Sequence, residues 1–188
     1  MGKVTWKPGT MIYPLPAVMV SCGAEESDYN IITISWTGTI CTEPAMCYIS
    51  VRPERHSYGI IRDAGGYAIN LTTREMARAT DWCGVRSGAK HDKFSETGLT
   101  AEPALFVKAP LIKESPVNIE CKVKEIVELG SHHMFISEVI AIHADEGYME
   151  PSTGAFRLDR AGLICYSHGK YFVTGDFVGK FGFSVKKK

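Results

Sequence analysis

Apolar positions along the chain occur mostly in short runs that alternate with polar ones, the pattern of β-strands. β-Branched and aromatic residues enrich these runs, and glycine, proline or small polar residues bound them. They predict strands at 16–23, 31–36, 45–52, 67–72, 117–129, 134–143, 162–166 and 171–174. The alternation in 117–129 changes parity near Ile126, which indicates a long strand with one buried face and a bulge. Residues 134–143 are apolar on both faces, as in a central strand.

Helical patterns are fewer and shorter. One helix is predicted at 56–63, before the Gly65-Gly66 pair, and another at 74–85, where apolar residues recur at helical spacing. The proline- and glycine-containing stretch 87–116 is predicted to be a long loop, and loops of that length are usually functional or pair with another domain. Mostly antiparallel strands with few helices favour a mainly β fold and a closed barrel. The pattern alone does not separate a barrel from a sandwich.

Composition indicates one domain with a sizeable core, spanning 1–188, with 45% hydrophobic residues and no linker, repeat or low-complexity tract. The terminal Lys186–Lys188 is predicted to be a solvated tail. The 21 basic and 21 acidic residues balance, so no global field attracts nucleic acid or an anionic membrane. No run approaches the roughly 20 apolar residues of a membrane span, and no secretory signal is visible. We expect a cytoplasmic protein without nucleic-acid or membrane partners, whose anion sites are local.

No motif for a metal, a nucleophile or a nucleotide fold is present. The six cysteines form no CxxC pair, and most lie in apolar runs, so we interpret them as reduced, structural thiols. The chain contains no GxSxG, P-loop or Rossmann fingerprint. His132 and His133 are adjacent on a strand and therefore point to opposite faces, which disfavours a shared metal. No catalytic side chain and no metal site are predicted.

The turn Arg52–Ser57 is the most specific candidate site. A strand ends there, Pro53 interrupts it, and a short helix begins whose N-terminal amides carry partial positive charge. Arg52 and Arg55 add full charges suited to phosphate, and Ser57 adds a hydroxyl. The turn therefore predicts a phosphate pocket. The alternative is two solvated arginines and a serine that caps the helix.

Polar residues in four other segments are weaker candidates for ligand contacts. They are Asn30, Thr33 and Ser35 in NIITISW; Asn70 in an apolar strand; Ser87, Gly88 and Lys93 in the long loop; and His132 at a strand start. Each has a structural alternative: an amphipathic strand, a buried asparagine that holds a loop, a solvated loop, and a surface histidine.

The order of these segments resembles the flavin reductase-like family, and within it flavoredoxin and related FMN-binding split-barrel proteins. The segments that carry the likeness, within about residues 11–175, are NIITISW, EPAMCYISVRPERHSYGII, GYAINL, SGAKHDKF, APLI, ECKV, GSHHMFISEVIAI and LICYSHGKYF. No single motif is decisive, but the ordered set is specific. The resemblance implies a homodimeric split β-barrel that binds FMN near its dimer interface.

The resemblance also implies roles for individual residues. In the pattern that begins at Asn30, Thr33, Ser35 and Trp36 would border the isoalloxazine and the ribityl chain. Arg55 and Ser57 would bind the phosphate, with Arg52 close by. Asn70 and Leu71 would lie along the ring. Ser87, Gly88 and Lys93 would belong to a loop over FMN, from either subunit. His132 would lie near the flavin or the nicotinamide, with His133 as the alternative.

FMN combines a dianionic phosphate with a planar ring, so a phosphate site next to polar strand edges suits it. Flavin chemistry needs no protein nucleophile, which agrees with the absence of one. We expect hydride transfer from NADH or NADPH to flavin, with the reduced flavin passed to a partner oxygenase. The alternative is a flavoredoxin-type electron-transfer protein fed by a protein donor. A third hypothesis is a binding module that uses no flavin.

Overall fold

The computed structural model describes residues 2–185, and over this range it contains twelve strands and three α-helices. The predicted Lys186–Lys188 tail lies outside the described residues. The strands are β1 Leu15–Pro16, β2 Val18–Cys22, β3 Asn30–Ile34, β4 Thr37–Thr42, β5 Ala45–Val51, β6 Gly66–Leu71, β7 Ala101–Glu102, β8 Leu111–Ile112, β9 Val117–Glu128, β10 His133–Ala144, β11 Ile164–Ser167 and β12 Lys170–Val173. The helices are α1 His56–Ala64, α2 Ala77–Val85 and α3 Lys93–Thr97.

Seven strands form one antiparallel sheet in the order β3-β2-β6-β9-β10-β5-β4. The sheet curls, because only Ser35 and Trp36 separate its two edge strands, β3 and β4. The Trp36 carbonyl oxygen accepts a hydrogen bond of 2.9 Å from the Ser50 amide of β5, which fastens the closing point. Two smaller sheets, β1-β11-β12 and β7-β8, lie outside this barrel. The predicted mainly β barrel is therefore confirmed.

All eight predicted strand runs contain strands, with two differences in detail and three strands that were not predicted, β4, β7 and β8. The run 16–23 is divided at Ala17 into β1 and β2. The bulge in β9 lies at Lys124, two residues from the predicted position, because the register with β10 shifts there. Strand β4 was not predicted, since its residues are mainly threonine, glycine and cysteine, show no apolar alternation, and include only one that is buried.

Two apolar cores stabilise the two faces of the sheet. The main core fills the barrel, and Val20, Ile49 and Phe135 are fully buried in it. The second core lies between the outer face of β2 and β3 and helix α2, where Met19 and Ile31 pack against Cys83. Burial of each such side chain contributes roughly 1.5–3 kcal/mol. The second core fixes α2 on the barrel, and α2 forms one wall of the cleft described below.

Helix α1 begins directly after the proline turn and ends as predicted at Gly65, whose φ of 68° is the left-handed conformation that glycine favours. Helix α2 begins three residues later than predicted, because Arg74–Met76 form a turn closed by a hydrogen bond from the Met76 amide to the Thr73 oxygen. The predicted loop 87–116 is irregular except for α3, β7 and β8.

The long loop is held by buried polar side chains in addition to apolar ones such as Ile112, which belongs to the second core. The Glu120 carboxylate of β9 is fully buried and accepts hydrogen bonds of 2.7–2.9 Å from the amides of Leu105, Phe106 and Val107. His143 contributes a fourth contact of 2.7 Å. These bonds explain how a segment with so little regular structure keeps one conformation.

None of the helices in residues 2–185 combines the length and apolarity needed to cross a bilayer. The same range contains no group of three or more histidine, cysteine or acidic side chains placed to hold a metal ion. All six cysteines are free thiols.

Candidate functional site

A polar cleft opens where the turn after β5, the end of α2 and the loop before α3 meet. It consists of two adjoining cavities of about 360 and 240 Å³, and Ile32, Arg52 and Arg55 line both of them. The first cavity lies at the start of α1, and the second lies against the link between β3 and β4. Clefts of this size hold cofactors and other small molecules.

The inner end of the cleft is built as an anion site. No side chain among the described residues caps the N-terminus of α1, so its first amides are open to a ligand. Ser57 lies in the first turn of α1, and Arg55 precedes it as the N-cap residue. One guanidinium nitrogen of Arg55 donates a 2.9 Å hydrogen bond to the Gly84 oxygen at the end of α2. That bond holds the arginine over the cavity and leaves its other donors for a ligand.

Arg52 lies between the two cavities and forms a 2.7 Å ion pair with Glu54. Both side chains are more than half exposed, so the pair contributes little to stability. Arg52 can therefore turn towards an anion at small energetic cost.

Asn30, Ser57 and Gly88 form a cradle beside this end of the cleft. The Asn30 amide nitrogen donates a 2.8 Å hydrogen bond to the Ser57 hydroxyl, while Asn30 Oδ1 is buried without a partner in residues 2–185. Gly88 packs so closely that a Cβ there would lie 2.2 Å from Asn30 Oδ1. A buried acceptor without a donor is costly, by about 1–3 kcal/mol. Because Gly88 covers this oxygen, Asn30 acts on the cleft through its bond to Ser57.

Lys93 is a nearly buried cation that lines the same cavity. Its ammonium group donates to the carbonyl oxygens of Ile31 at 2.7 Å and Cys83 at 2.6 Å. Burial lowers the pKa of Lys93, as desolvation of a cation should. The two carbonyls nevertheless leave it one further donor.

The outer end of the cleft is aromatic. The rings of Trp36 and His132 lie 4.4 Å apart between centroids, tilted by 42°. Burial, together with the nearby Arg52, lowers the pKa of His132 and so favours the neutral imidazole. His133 points away and forms a 2.7 Å contact with the Tyr58 hydroxyl. Of the two adjacent histidines, His132 therefore faces the cleft.

Ten of the thirteen predicted site residues line this cleft. They are Thr33, Ser35, Trp36, Arg52, Arg55, Ser57, Ser87, Gly88, Lys93 and His132. Asn30 supports the lining through Ser57. The Thr33 hydroxyl already donates a hydrogen bond to the Thr80 carbonyl oxygen of α2, so Thr33 anchors the α2 wall of the cleft.

Asn70 and Leu71 do not reach the cleft, which corrects their predicted position along a ring. Asn70 is fully buried, and its Oδ1 accepts from the Ile112 amide at 3.1 Å and from Asn118 at 2.7 Å. It thus holds the long loop to β6, the structural alternative recognised from sequence. Leu71 packs against the main core.

Several lining residues were not predicted. They include Arg86, Cys83, Ser50 and Tyr166. Arg86 directly precedes the predicted Ser87-Gly88 pair, so its charge was a usable signal. Tyr166 lies on β11, more than a hundred residues away along the chain, and only the folded sheet brings it near Trp36.

The residues present fit FMN. The open helix start, Arg55, Lys93 and Ser57 suit a phosphate, and Asn30 holds the Ser57 hydroxyl in place. The Trp36 indole and His132 at the outer end suit a planar ring. These features describe a β-barrel protein with a site for a phosphate-bearing aromatic ligand.

Residues 10–174 match the family described as "Flavin reductase like domain", and the chain belongs to this family. It is similar to the flavoredoxin of Desulfovibrio vulgaris (Miyazaki F), with 28% identity and a TM-score of 0.90 over 98% of this chain and all of that one. Flavoredoxin from Methanosarcina acetivorans is 25% identical, with a TM-score of 0.87 over 99% and 100%.

Sequence relatives extend the comparison. An uncharacterized protein of Archaeoglobus fulgidus is 27% identical over 163 residues, which cover 87% of this chain and 89% of the relative. An NADH-dependent FMN reductase of Streptomyces nodosus subsp. asukaensis is 21% identical over 150 residues, 80% of each chain. The predicted family and the split-barrel fold are thus confirmed.

Proposed function

We propose that the chain binds FMN in the cleft and is an NAD(P)H:flavin oxidoreductase, which passes a hydride from NADH or NADPH to the flavin. The observation that carries the FMN assignment is the anion site at the inner end of the cleft, where the uncapped start of α1 lies beside Arg55 and Lys93. The NADH-dependent FMN reductase among the relatives supports the reductase assignment.

The residues of the cleft would each contribute binding and orientation. Arg55, Lys93 and the α1 amides would hold the phosphate, and Asn30 would position the Ser57 hydroxyl beside it. Trp36 and His132 border the ring and restrict water at that end. When bound, FMN supplies the hydride-accepting chemistry itself. Hydride transfer to the flavin requires no proton donor from the protein.

The test uses the apoprotein and the FMN-loaded protein. FMN titrated into apoprotein should bind one equivalent per chain, followed by flavin fluorescence. The loaded protein is then mixed anaerobically with NADH and, separately, with NADPH, and rapid loss of the oxidised flavin absorbance identifies the donor. Failure to bind FMN, together with no turnover of free FMN, would refute the proposal.

The second candidate is a flavoredoxin-type electron-transfer protein, fed by a protein donor. The two flavoredoxins match this chain over almost its whole length at 25–28% identity, which favours this candidate. A loaded protein that stays oxidised with both nicotinamides, yet is reduced by a protein donor, would establish it and exclude the reductase.

We further propose that the protein is a homodimer and that a partner oxygenase or electron-transfer protein receives its electrons in the cytoplasm. Large apolar side chains of the terminal segments support the dimer, since Trp6 is 68% exposed and Phe177 is 79% exposed. Light scattering on a sizing column measures the mass directly. Replacing both Trp6 and Phe177 by serine should lower the measured mass, and a monomeric wild-type protein would refute the dimer.

A further inference from the structure

An apolar chamber of about 460 Å³ adjoins the cleft on the other side of Trp36. The segment before β1 forms its outer wall, and the outward-facing residues of β5 and β10 form its floor. Its principal lining side chains are Met11, Tyr13, Trp36, Tyr48, Leu129 and Met134. Trp36 and Ser50 also line the polar cleft, so the two spaces meet at this indole.

The chamber and the cleft differ sharply in charge. The cleft is lined by three arginines, a lysine and a glutamate, whereas no ionisable acid, lysine or arginine lines the chamber. Its polar side-chain groups are the Trp36 indole N–H and hydroxyls, including those of Tyr13, Tyr48 and Ser50. A phosphate or carboxylate would lose its hydration there without gaining a counter-charge. The chamber therefore suits an uncharged molecule.

Shape and side-chain type narrow the ligand class further. Three aromatic side chains line the chamber and can contact a planar ligand, and Met11 and Met134 adapt to irregular ligand outlines. Hydroxyl donors match carbonyl oxygens. A planar ring with carbonyl groups satisfies all of these surfaces, and the chamber is within the size range of small-molecule sites.

We propose that the chamber binds a neutral quinone, which is the terminal electron acceptor of the flavin held in the adjoining cleft. This inference rests on the proposed function. The overall reaction balances as NAD(P)H + H⁺ + quinone giving NAD(P)⁺ + hydroquinone. The nicotinamide C–H bond breaks, its hydride carries two electrons by way of the flavin, and solvent supplies the proton. Both quinone oxygens end as hydroxyls.

The probe is duroquinone, whose fully substituted ring does not add to the protein's thiols. Isothermal titration measures its binding to the apoprotein and to the FMN-loaded protein. Binding to both is expected, because the chamber is separate from the cleft. Loss of duroquinone binding when FMN is present would place the quinone in the cleft and overturn the proposal.

Met134→Lys puts a charge into the chamber, and Ile136→Lys is the matched control. Ile136 lies two residues further along the same face of β10 and does not line the chamber. Met134→Lys should weaken duroquinone binding at least tenfold with unchanged FMN affinity, whereas Ile136→Lys should change neither. Equal effects of both variants would refute the chamber as the site.

A second copy of the chain is the competing occupant, since Ile12 on the outer rim is 85% exposed. If wild-type apoprotein binds no duroquinone and Met134→Lys lowers the molecular mass, the chamber is a subunit contact and the proposal fails. FMN binding is measured independently in the same samples. A failure of the quinone site is therefore distinguishable from a failure of the proposed flavin function.

Discussion

Replacing Gly88 by alanine should disrupt the cleft through a single methyl group. A Cβ at this position would lie 2.2 Å from Oδ1, 2.5 Å from Cγ and 2.7 Å from Nδ2 of Asn30. Real Cβ atoms do not approach other heavy atoms so closely, so either Asn30 or the loop that carries Gly88 must move. Asn30 is 3% exposed and is bonded to Ser57, so it has little freedom to yield.

The size of the effect follows from what each movement breaks. If Asn30 moves, its bond to Ser57 is lost and a buried polar group is left unpaired, at about 1–3 kcal/mol. If the loop moves instead, Ser87 and Lys93 shift relative to the phosphate end. Either response should weaken FMN binding by about 2 kcal/mol, or roughly 30-fold.

Titration of apoprotein with FMN tests this, with Gly59→Ala as the matched control. A Cβ at Gly59 meets nothing within 4 Å, so alanine there should stabilise helix α1 by about 0.5–1 kcal/mol and leave FMN affinity unchanged. In an Asn30→Ala background, Gly88→Ala should add less than about 0.5 kcal/mol, because the clash is gone. Wild-type affinity in folded Gly88→Ala would refute the cradle.

Three other side chains have measurable roles. Arg55→Ala should weaken FMN binding by about 1.5–3 kcal/mol, the range for a hydrogen bond to a charged group, and unchanged affinity in the folded variant would place the phosphate elsewhere. Burial would raise the pKa of the Glu120 carboxyl, but hydrogen bonds from three loop amides and a histidine hold it below its ordinary value. The resulting stability is present above the ordinary glutamate pKa and is lost as the pH falls through the lowered one. The free energy of unfolding, measured with urea, should accordingly fall less at acid pH for Glu120→Gln than for Glu125→Gln, an exposed control on β9. An equal pH dependence in the two variants would contradict this. His132 should titrate below the ordinary histidine range in an NMR titration, because burial lowers its pKa, and Trp36→Ala should raise that pKa by exposing the ring. An unaltered pKa in that variant would show that Trp36 does not shield it.

Much of the fold could be predicted because its strands obey local rules. Alternation and β-branched runs locate β9 and β10, and the Pro53 turn and Gly65 bound α1. Strand β4 was missed because the closing of the curled sheet, rather than its own sequence pattern, makes it a strand. Its hydrogen bonds come from pairing with β5 at the edge of the curled sheet, and the hydrophobic pattern of the sequence does not predict that pairing.

The candidate site was predictable where its residues are consecutive in sequence. The Arg52–Ser57 turn is one continuous segment, so its charge and helix start are visible together. Asn70 was misplaced because a buried asparagine has the same sequence signal whether it contacts a ligand or a loop. Only the observed bonds to Ile112 and Asn118 distinguish these roles. The sequence also could not show that Asn30 and Gly88 lie in contact, because 58 positions separate them.

The cations of the cleft are held in place by the end of helix α2. Arg55 bonds to the Gly84 oxygen and Lys93 to the Cys83 oxygen, two of the C-terminal carbonyls that a helix leaves without partners. The carbonyl end of a helix carries partial negative charge, so it stabilises both cations before any ligand arrives. Their side chains therefore lose less freedom when a phosphate binds, which favours affinity. The same contacts mean that the second core, which fixes α2 on the barrel, also determines the geometry of the phosphate site.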